Sequence, residues 1–343
     1  MSKILVTGGC GYIGSHTIVE LQQAGFEVVS IDDNSCSEPW VMDRVQNITG
    51  ISCTNHPINL CDMPALRAFF AAHTDISGVI HFAAFKSVGE SSTNPLKYFY
   101  NNLLGQINLM QCVQEFKIPH LVFSSSCTVY GNPEQLPVTE ESPMQEPESP
   151  YGRTKVIGEA MLRDLVKVAP VQVIALRYFN PVGAHPTNEM GEYILGVPSY
   201  LLPYITQTAI GKREKLTVFG GDYPTRDGTC IRDYIHVCDI ARAHVNAIQY
   251  LQRGAAQAAF EVFNLGSGLG QTVLEMIASF EKVTGLKLNY QVGDRRAGDV
   301  VAVYANNRKA REVLGWELQF DLDAMMATSW AWEQRLAGEQ AAH

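Results

Sequence analysis

Apolar and polar positions follow two alternating periods through the first half of the chain. Residues 4–6, 27–31, 78–81, 121–123 and 171–176 form short, nearly continuous apolar runs, the pattern of parallel strands covered on both faces. Between them, residues 12–24, 62–73, 95–116 and 151–168 carry apolar positions at helical spacing. Pro64 and Pro95 fit first-turn positions, where a missing N–H costs little. This alternation predicts an α/β fold, a Rossmann-type doubly wound parallel sheet that takes its ligand at the carboxyl ends of the strands. After about residue 181 the pattern loosens: 181–230 is rich in Gly, Pro and Tyr, and 233–252 returns to a helical period. The expected division is a large domain over 1–181 and a smaller mixed α/β domain over 182–343. Part of 231–264 is expected to pack back on the first domain, with a substrate cleft between the two.

At 343 residues and 46% hydrophobic, the chain can bury a full core. A formal net charge of -9 argues against binding nucleic acid or a membrane surface, so an anionic ligand must be met by local positive groups. The eight cysteines include no Cys-x-x-Cys, and the nine histidines no His-Glu-x-x-His. No metal site is therefore expected, and the thiols are read as reduced. No apolar run reaches the roughly 18 residues of a membrane helix. Met-Ser-Lys leads directly into the first strand, leaving no room for a signal peptide. The expectation is a cytoplasmic protein.

Gly9-Cys10-Gly11-Tyr12-Ile13-Gly14 follows the first strand and opens a helix. Glycines at this spacing permit a tight turn and let a pyrophosphate approach backbone N–H groups at the helix N-terminus. Asp32 and Asp33 close the second strand, where a carboxylate accepts a ribose 2′-hydroxyl and repels a 2′-phosphate. The cofactor indicated is NAD rather than NADP.

Tyr151 and Lys155 lie four residues apart, on one face of the predicted helix 151–168. Moving a phenol from about 10 to near 7 requires roughly 4 kcal/mol. A cation about 5 Å away supplies on the order of 3 kcal/mol at an effective dielectric of 20. Lys155 and a positive nicotinamide ring together suffice, so the pair can take a proton from an alcohol. Ser126 ends the strand 121–123 run at the ligand edge, where a hydroxyl can relay that proton. Arg232 and Arg296, in loop-like segments of an acidic chain, suit a diphosphate. His81 and His236 are read as structural. The site predicted is that of a redox enzyme acting on a hydroxyl group.

The segments 8–17, 86–91, 124–131, 149–155, 176–186, 222–237 and 295–299 carry a resemblance that runs nearly end to end. The chain resembles the extended short-chain dehydrogenase/reductase family, and within it the nucleotide-sugar 4-epimerases. The resemblance implies NAD held by Gly8, Gly11, Tyr12, Ile13, Gly14, Asp32, Asp33, Asn34, Asn59, Leu60, Phe82, Ala83, Ala84, Lys86, Asn101, Ser126, Tyr151, Lys155 and Phe179. It implies a UDP-sugar held by Lys86, Ser126, Tyr151, Asn180, Tyr200, Leu201, Thr217, Phe219, Arg232, Arg296, Asp299 and Val303. Ser126, Tyr151 and Lys155 would be catalytic, and the reaction a reversible C4 epimerisation of UDP-glucose and UDP-galactose through a 4-keto intermediate. A homodimer is implied, through helices 95–116 and 151–168. Asn59, Tyr200 and Ala297 depart from the family's usual aspartate, asparagine and glutamate. Val303, small where a tyrosine excludes N-acetyl sugars, implies that UDP-N-acetylglucosamine is tolerated. The alternatives are a 4,6-dehydratase or decarboxylase on the same scaffold, for which an Asp-Glu pair after the fifth strand is missing, and a non-catalytic NAD-sensing protein.

Overall fold

A computed structural model describes residues 2–196, 198, 200–296 and 299–341. Its first half winds β1 (Lys3–Thr7), α1 (Tyr12–Gln23), β2 (Glu27–Ile31), α2 (Val41–Thr49), β3 (Thr54–His56), α3 (Met63–Ala72) and β4 (Ile76–His81). Then come α4 (Val88–Thr93), α5 (Pro95–Tyr98), a π-helical turn (Phe99–Leu104), α6 (Gly105–Glu115), β5 (His120–Ser126), α7 (Pro150–Val168) and β6 (Gln172–Tyr178). Local chemistry sets the helix starts. Asp62 accepts from Ala65 N at 3.1 Å and Ser149 from Gly152 N at 3.1 Å, and each of these helices has proline in its first turn.

The second half adds β7 (Asn180–Val182), α8 (Leu201–Ala209), β8 (Leu216–Phe219), β9 (Ile231–Arg232), β10 (Tyr234–His236), α9 (Val237–Gln252) and β11 (Phe260–Leu265). It closes with β12 (Gln271–Thr272), α10 (Val273–Thr284), β13 (Tyr290–Gly293), β14 (Ala302–Val303), α11 (Arg308–Leu314) and α12 (Leu322–Ala341).

Seven parallel strands form one sheet in the order β11-β6-β5-β4-β1-β2-β3. Succession reverses between β1 and β4, so the chain leaves a crevice at their carboxyl ends, where ligands of open α/β sheets bind. One core, including Ile4, Ile18, Val122, Ile174, Ile240 and Ile248, lies under α1 and α9. The other, including Leu5, Phe70, Val79, Leu109, Phe123 and Leu162, lies under α3, α6 and α7. Residues 237–265 thus return to the large sheet, as a covering helix and an edge strand.

The remaining strands make three small sheets, β10-β7, β12-β9-β14 and β13-β8, around a separate core of Val182, Leu202, Ile205, Val218, Phe280 and Met326. A small apolar cluster of Val129, Tyr130, Val138, Phe179, Val303 and Ala305 joins the two parts beside the crevice.

The segment 95–116 is not the single α-helix its period predicts. It widens into the π turn over Phe99–Leu104. There Asn102 accepts from Phe85 N at 2.9 Å and donates to Phe85 O at 3.0 Å, a tertiary demand that periodicity does not carry.

Candidate active site

The β1–α1 turn is shaped by close backbone approach. Gly8 has φ +75°, and a Cβ there would stand 2.7 Å from Ala83 N; one on Gly14 would stand 2.1 Å from Gly8 O. Gly11 caps α1 without a side-chain bond, and the first turn, which includes Tyr12 and Ile13, holds no acidic residue. The helix N–H groups and dipole are therefore free to meet an anion, and the turn fits a diphosphate.

Asp32 clamps this turn to the end of β2. Its carboxylate accepts from Cys10 N at 3.0 Å, Asn34 N at 2.9 Å and Ser37 Oγ at 2.9 Å. Burial raises its pKa despite those bonds. Asp33 instead accepts from Asn59 Nδ2 at 2.7 Å, so the departure at Asn59 gives a donor to an acid at the mouth of the cleft. Leu60 is buried against the core, and after β4 the backbone of Phe82 and Ala83, followed by Ala84, comes up against Gly8.

Ser126, Tyr151 and Lys155 come from the end of β5 and the first turns of α7. Ser126 is buried and caps the turn Cys127–Tyr130 by accepting from Thr128 N at 3.2 Å, and its hydroxyl is near enough to the Tyr151 phenol to favour the ionised form. Lys155 donates to Ser124 O at 2.7 Å and sits 5.8 Å from the Tyr151 ring centre.

The protein groups around the phenol do not by themselves lower its pKa. Burial pushes the Tyr151 phenol up to about 12, and the groups that oppose it are the Ser126 hydroxyl and the more distant Lys86 ammonium. Burial also lowers Lys155 to about 8. Protein groups alone thus keep Tyr151 a neutral phenol, because desolvation outweighs the groups that oppose it. Ionising it requires a further positive charge beside the ring.

Lys86 is accessible, with 60% of its side chain exposed, yet deep among protein atoms, as befits a residue lining a concavity. Its ammonium pairs with Glu192 at 2.5 Å and lies about 6 Å from the Tyr12 and Tyr200 rings, at 5.8 and 6.0 Å. Burial lowers its pKa, but the Glu192 carboxylate more than restores it, and the net shift is upward.

Across the cleft, Asn180 opens β7, whose backbone pairs with β10. Phe179 is buried beside Val303 in the joining cluster. Val303 pairs with Arg232 across β14 and β9. Asp299 sits between two guanidiniums, 2.6 Å from Arg296 and 3.7 Å from Arg232. Arg232 also donates to Val300 O at 2.6 Å. Thr217 and Phe219 lie along β8, with the Arg296 guanidinium 5.8 Å from the Phe219 ring. Tyr200 precedes α8, its buried hydroxyl unpartnered among the described residues, while Leu201 packs on the second core. Ala297 lies outside the described residues.

Two residues escaped the sequence reading. Asn102, besides binding Phe85, donates to Thr154 Oγ1 at 3.2 Å, and Thr154 donates to Tyr151 O at 2.7 Å. It joins the Lys86 loop to the helix of Tyr151, beside Asn101 in the same π turn. Glu192 finds Lys86 from 106 positions away, and no local signal announces it.

His81 is buried on Thr7 Oγ1 at 2.7 Å, and His236 is buried beside Thr328. No group of three or more metal-binding side chains occurs among the described residues.

A parallel sheet with a glycine turn at its switch point, facing a second lobe across an arginine-lined cleft, defines a dinucleotide-dependent enzyme of the Rossmann class. Residues 4–266 match the NAD dependent epimerase/dehydratase family, and the chain belongs to it. UDP-glucose 4-epimerase of Bacillus subtilis is 47% identical over 331 residues, covering 96% of each chain. The mouse UDP-glucose 4-epimerase is 45% identical over 342 residues, covering 98% of this chain and 97% of its own. Among solved structures, UDP-glucose-4-epimerase from Stenotrophomonas maltophila, with bound NAD and formylated UDP-arabinopyranose, superposes with a TM-score of 0.95. It is 44% identical, covering 99% of this chain and 100% of that one. The Bifidobacterium longum enzyme in complex with NAD+ and UDP gives 0.92 at 40% identity, covering 97% and 98%.

Proposed function

We propose that the protein interconverts UDP-glucose and UDP-galactose by reversible epimerisation at C4, with NAD retained between turnovers. The observation that carries this reading is the meeting of Ser126, Tyr151 and Lys155 beside the glycine turn, in a chain 47% identical to an epimerase over nearly its whole length. Bound NAD supplies a hydride acceptor and donor at the sugar carbon. The N-terminus of α1 seats its diphosphate, and Asp32 fits a ribose hydroxyl. Tyr151 Oη takes the proton of the 4-hydroxyl, with Ser126 Oγ bridging them, and returns it when the alcohol re-forms. Lys155 holds positive charge beside that exchange. Arg232 and Arg296 hold the UDP diphosphate, while Asn180, Tyr200, Leu201, Thr217 and Phe219 bound the remainder of the nucleotide sugar. The large unit over 1–181, with the returning helix and edge strand, holds the cofactor; the rest of 182–343 holds the sugar nucleotide.

Incubation with UDP-galactose and product analysis tests this. UDP-glucose alone supports epimerisation; a 4-keto-6-deoxy sugar or a decarboxylated product overturns it. Val303, packed in the cluster with Phe179, is smaller than the tyrosine that the resemblance associates with excluding N-acetyl sugars, which supports extending the proposal to the N-acetylated pair. Absence of turnover with UDP-N-acetylglucosamine refutes that extension.

Exposed Leu96, Tyr100 and Ile107, at 76%, 65% and 39%, support pairing of two copies through the segments 95–116 and 151–168. Sedimentation at the monomer mass contradicts it. We read the enzyme as cytoplasmic: all eight cysteines are free, and no described helix is long and apolar enough to cross a membrane.

A further inference from the structure

Behind Ser126, Tyr151 and Lys155 lies a buried charge pair that the proton transfer does not use. Glu159 stands on α7 one turn beyond Lys155 and two beyond Tyr151, so the three side chains share a helix face. Its carboxylate is wholly buried. Oε1 accepts from Ser125 Oγ at 2.6 Å and Arg177 Nε at 2.8 Å, and Oε2 accepts from Arg177 Nη2 at 2.7 Å. Arg163 reaches the same oxygen at 3.0 Å from the edge of the protein.

Arg177 pairs with Ser125 across β6 and β5, and its Nη1 donates to the Tyr130 hydroxyl at 3.0 Å. That hydroxyl donates to Asn264 Oδ1 at 2.6 Å on β11. One helix is thereby tied to three neighbouring strands at one level of the sheet. Ser125 is the residue immediately before Ser126.

Stability alone does not account for this arrangement. Desolvating two charges offsets most of their attraction, and apolar packing often serves as well. Apolar packing lets a helix slide or turn on a sheet, whereas a bidentate guanidinium–carboxylate pair has one geometry.

We propose that Glu159, gripped by Arg177 and Ser125, is a positioning residue that fixes α7 against the end of β5 and so sets the approach of Tyr151 and Lys155 to Ser126. The proposal rests on the reading of those three residues as the reacting group. Charge follows from the same geometry. Lys155 is faced by Glu159 and Tyr151 on its own helix, by the Ser124 carbonyl and Phe123 ring on β5, and by His81 on β4, which burial keeps neutral. Arg177 and Arg163 stand behind the carboxylate. Glu159 opposes the fall that burial imposes on the Lys155 pKa. Removing its charge makes Lys155 lose its proton at lower pH, and the alkaline limb of kcat moves in the acid direction.

The experiment measures kcat, KM and the pH profile for UDP-galactose with Ser125→Ala, Glu159→Gln, Glu159→Gln/Arg177→Met and Tyr151→Phe. In Ser125→Ala kcat falls about tenfold with KM within about twofold of wild type, the split expected of lost alignment. Glu159→Gln falls further, and its alkaline limb shifts by about one pH unit. The double variant leaves no lone buried arginine; it recovers stability without recovering kcat. Should the Glu159 variants fail to fold, Ser125→Ala decides. Wild-type kcat in folded Ser125→Ala overturns the proposal, as does a wild-type pH profile in folded Glu159→Gln. Tyr151→Phe separates the two levels. Full activity in that variant defeats the reacting-group reading itself, whereas its inactivity beside fully active Ser125 and Glu159 variants defeats only the positioning role.

Discussion

Replacing Gly14 by alanine puts a methyl group 2.1 Å from the Gly8 carbonyl oxygen and 3.0 Å from Gly9 Cα. Both neighbours are backbone of the same turn, so no side chain can swing aside. Restoring an ordinary contact of about 3.5 Å opens the turn by more than an ångström. Overpacking of this kind costs about 1–3 kcal/mol of stability. The larger effect falls on the cofactor, because the N–H groups that seat the diphosphate move with the turn. Losing two hydrogen bonds to a charged group, at about 1.5–3 kcal/mol each, weakens NAD binding by about 100-fold or more. The assay is the NAD released by acid from purified protein, together with Tm. The control is Gly338→Ala, at an exposed position of α12 with nothing near its added methyl, which gains up to about 1 kcal/mol and keeps its NAD. Gly14→Ala with wild-type NAD content and Tm would refute the claim that close backbone approach builds the cofactor seat.

Two further outcomes follow from burial. His16, His81 and His236 are held neutral by burial at about 3, and His244 at about 4, so the unfolded chain binds more protons between those values and about 6.5. Stability therefore falls as pH drops through that window, by about 2 kcal/mol per histidine at pH 5; an unchanged urea midpoint between pH 7 and 5 contradicts this. Asn102→Ala leaves the partly buried Phe85 N–H and C=O without their side-chain partner, costing about 2 kcal/mol in urea unfolding and loosening the Lys86 loop. A loss under about 0.5 kcal/mol counts against the hub role of Asn102.

The large sheet was legible because its strands are covered on both faces and read as apolar runs. β3 was not: Thr54-Asn55-His56 is a three-residue polar edge strand with no apolar signature. The π turn was hidden because the pull of Phe85 on Asn102 leaves the apolar spacing of 95–116 unchanged. Within the site, the glycine turn and the Tyr151/Lys155 spacing are local motifs and could be read directly. Lys86–Glu192 and Ser125–Glu159–Arg177 are partnerships made by the fold between distant segments. The desolvation that raises the Tyr151 pKa was not legible, because burial is a product of the fold, and it leaves more of the ionisation to the charge of the bound nicotinamide.

The central claim is that Tyr151 exchanges a proton with the sugar hydroxyl beside a retained dinucleotide. It is tested most directly by following UDP-galactose to UDP-glucose without added NAD, for wild type and Tyr151→Phe. Wild type should turn over with the NAD it carries through purification. The phenylalanine variant should keep that NAD and lose at least about 100-fold in kcat, since it removes the proton acceptor and nothing else. Full turnover by Tyr151→Phe, or a wild type that is inactive with its NAD in place, would contradict the account.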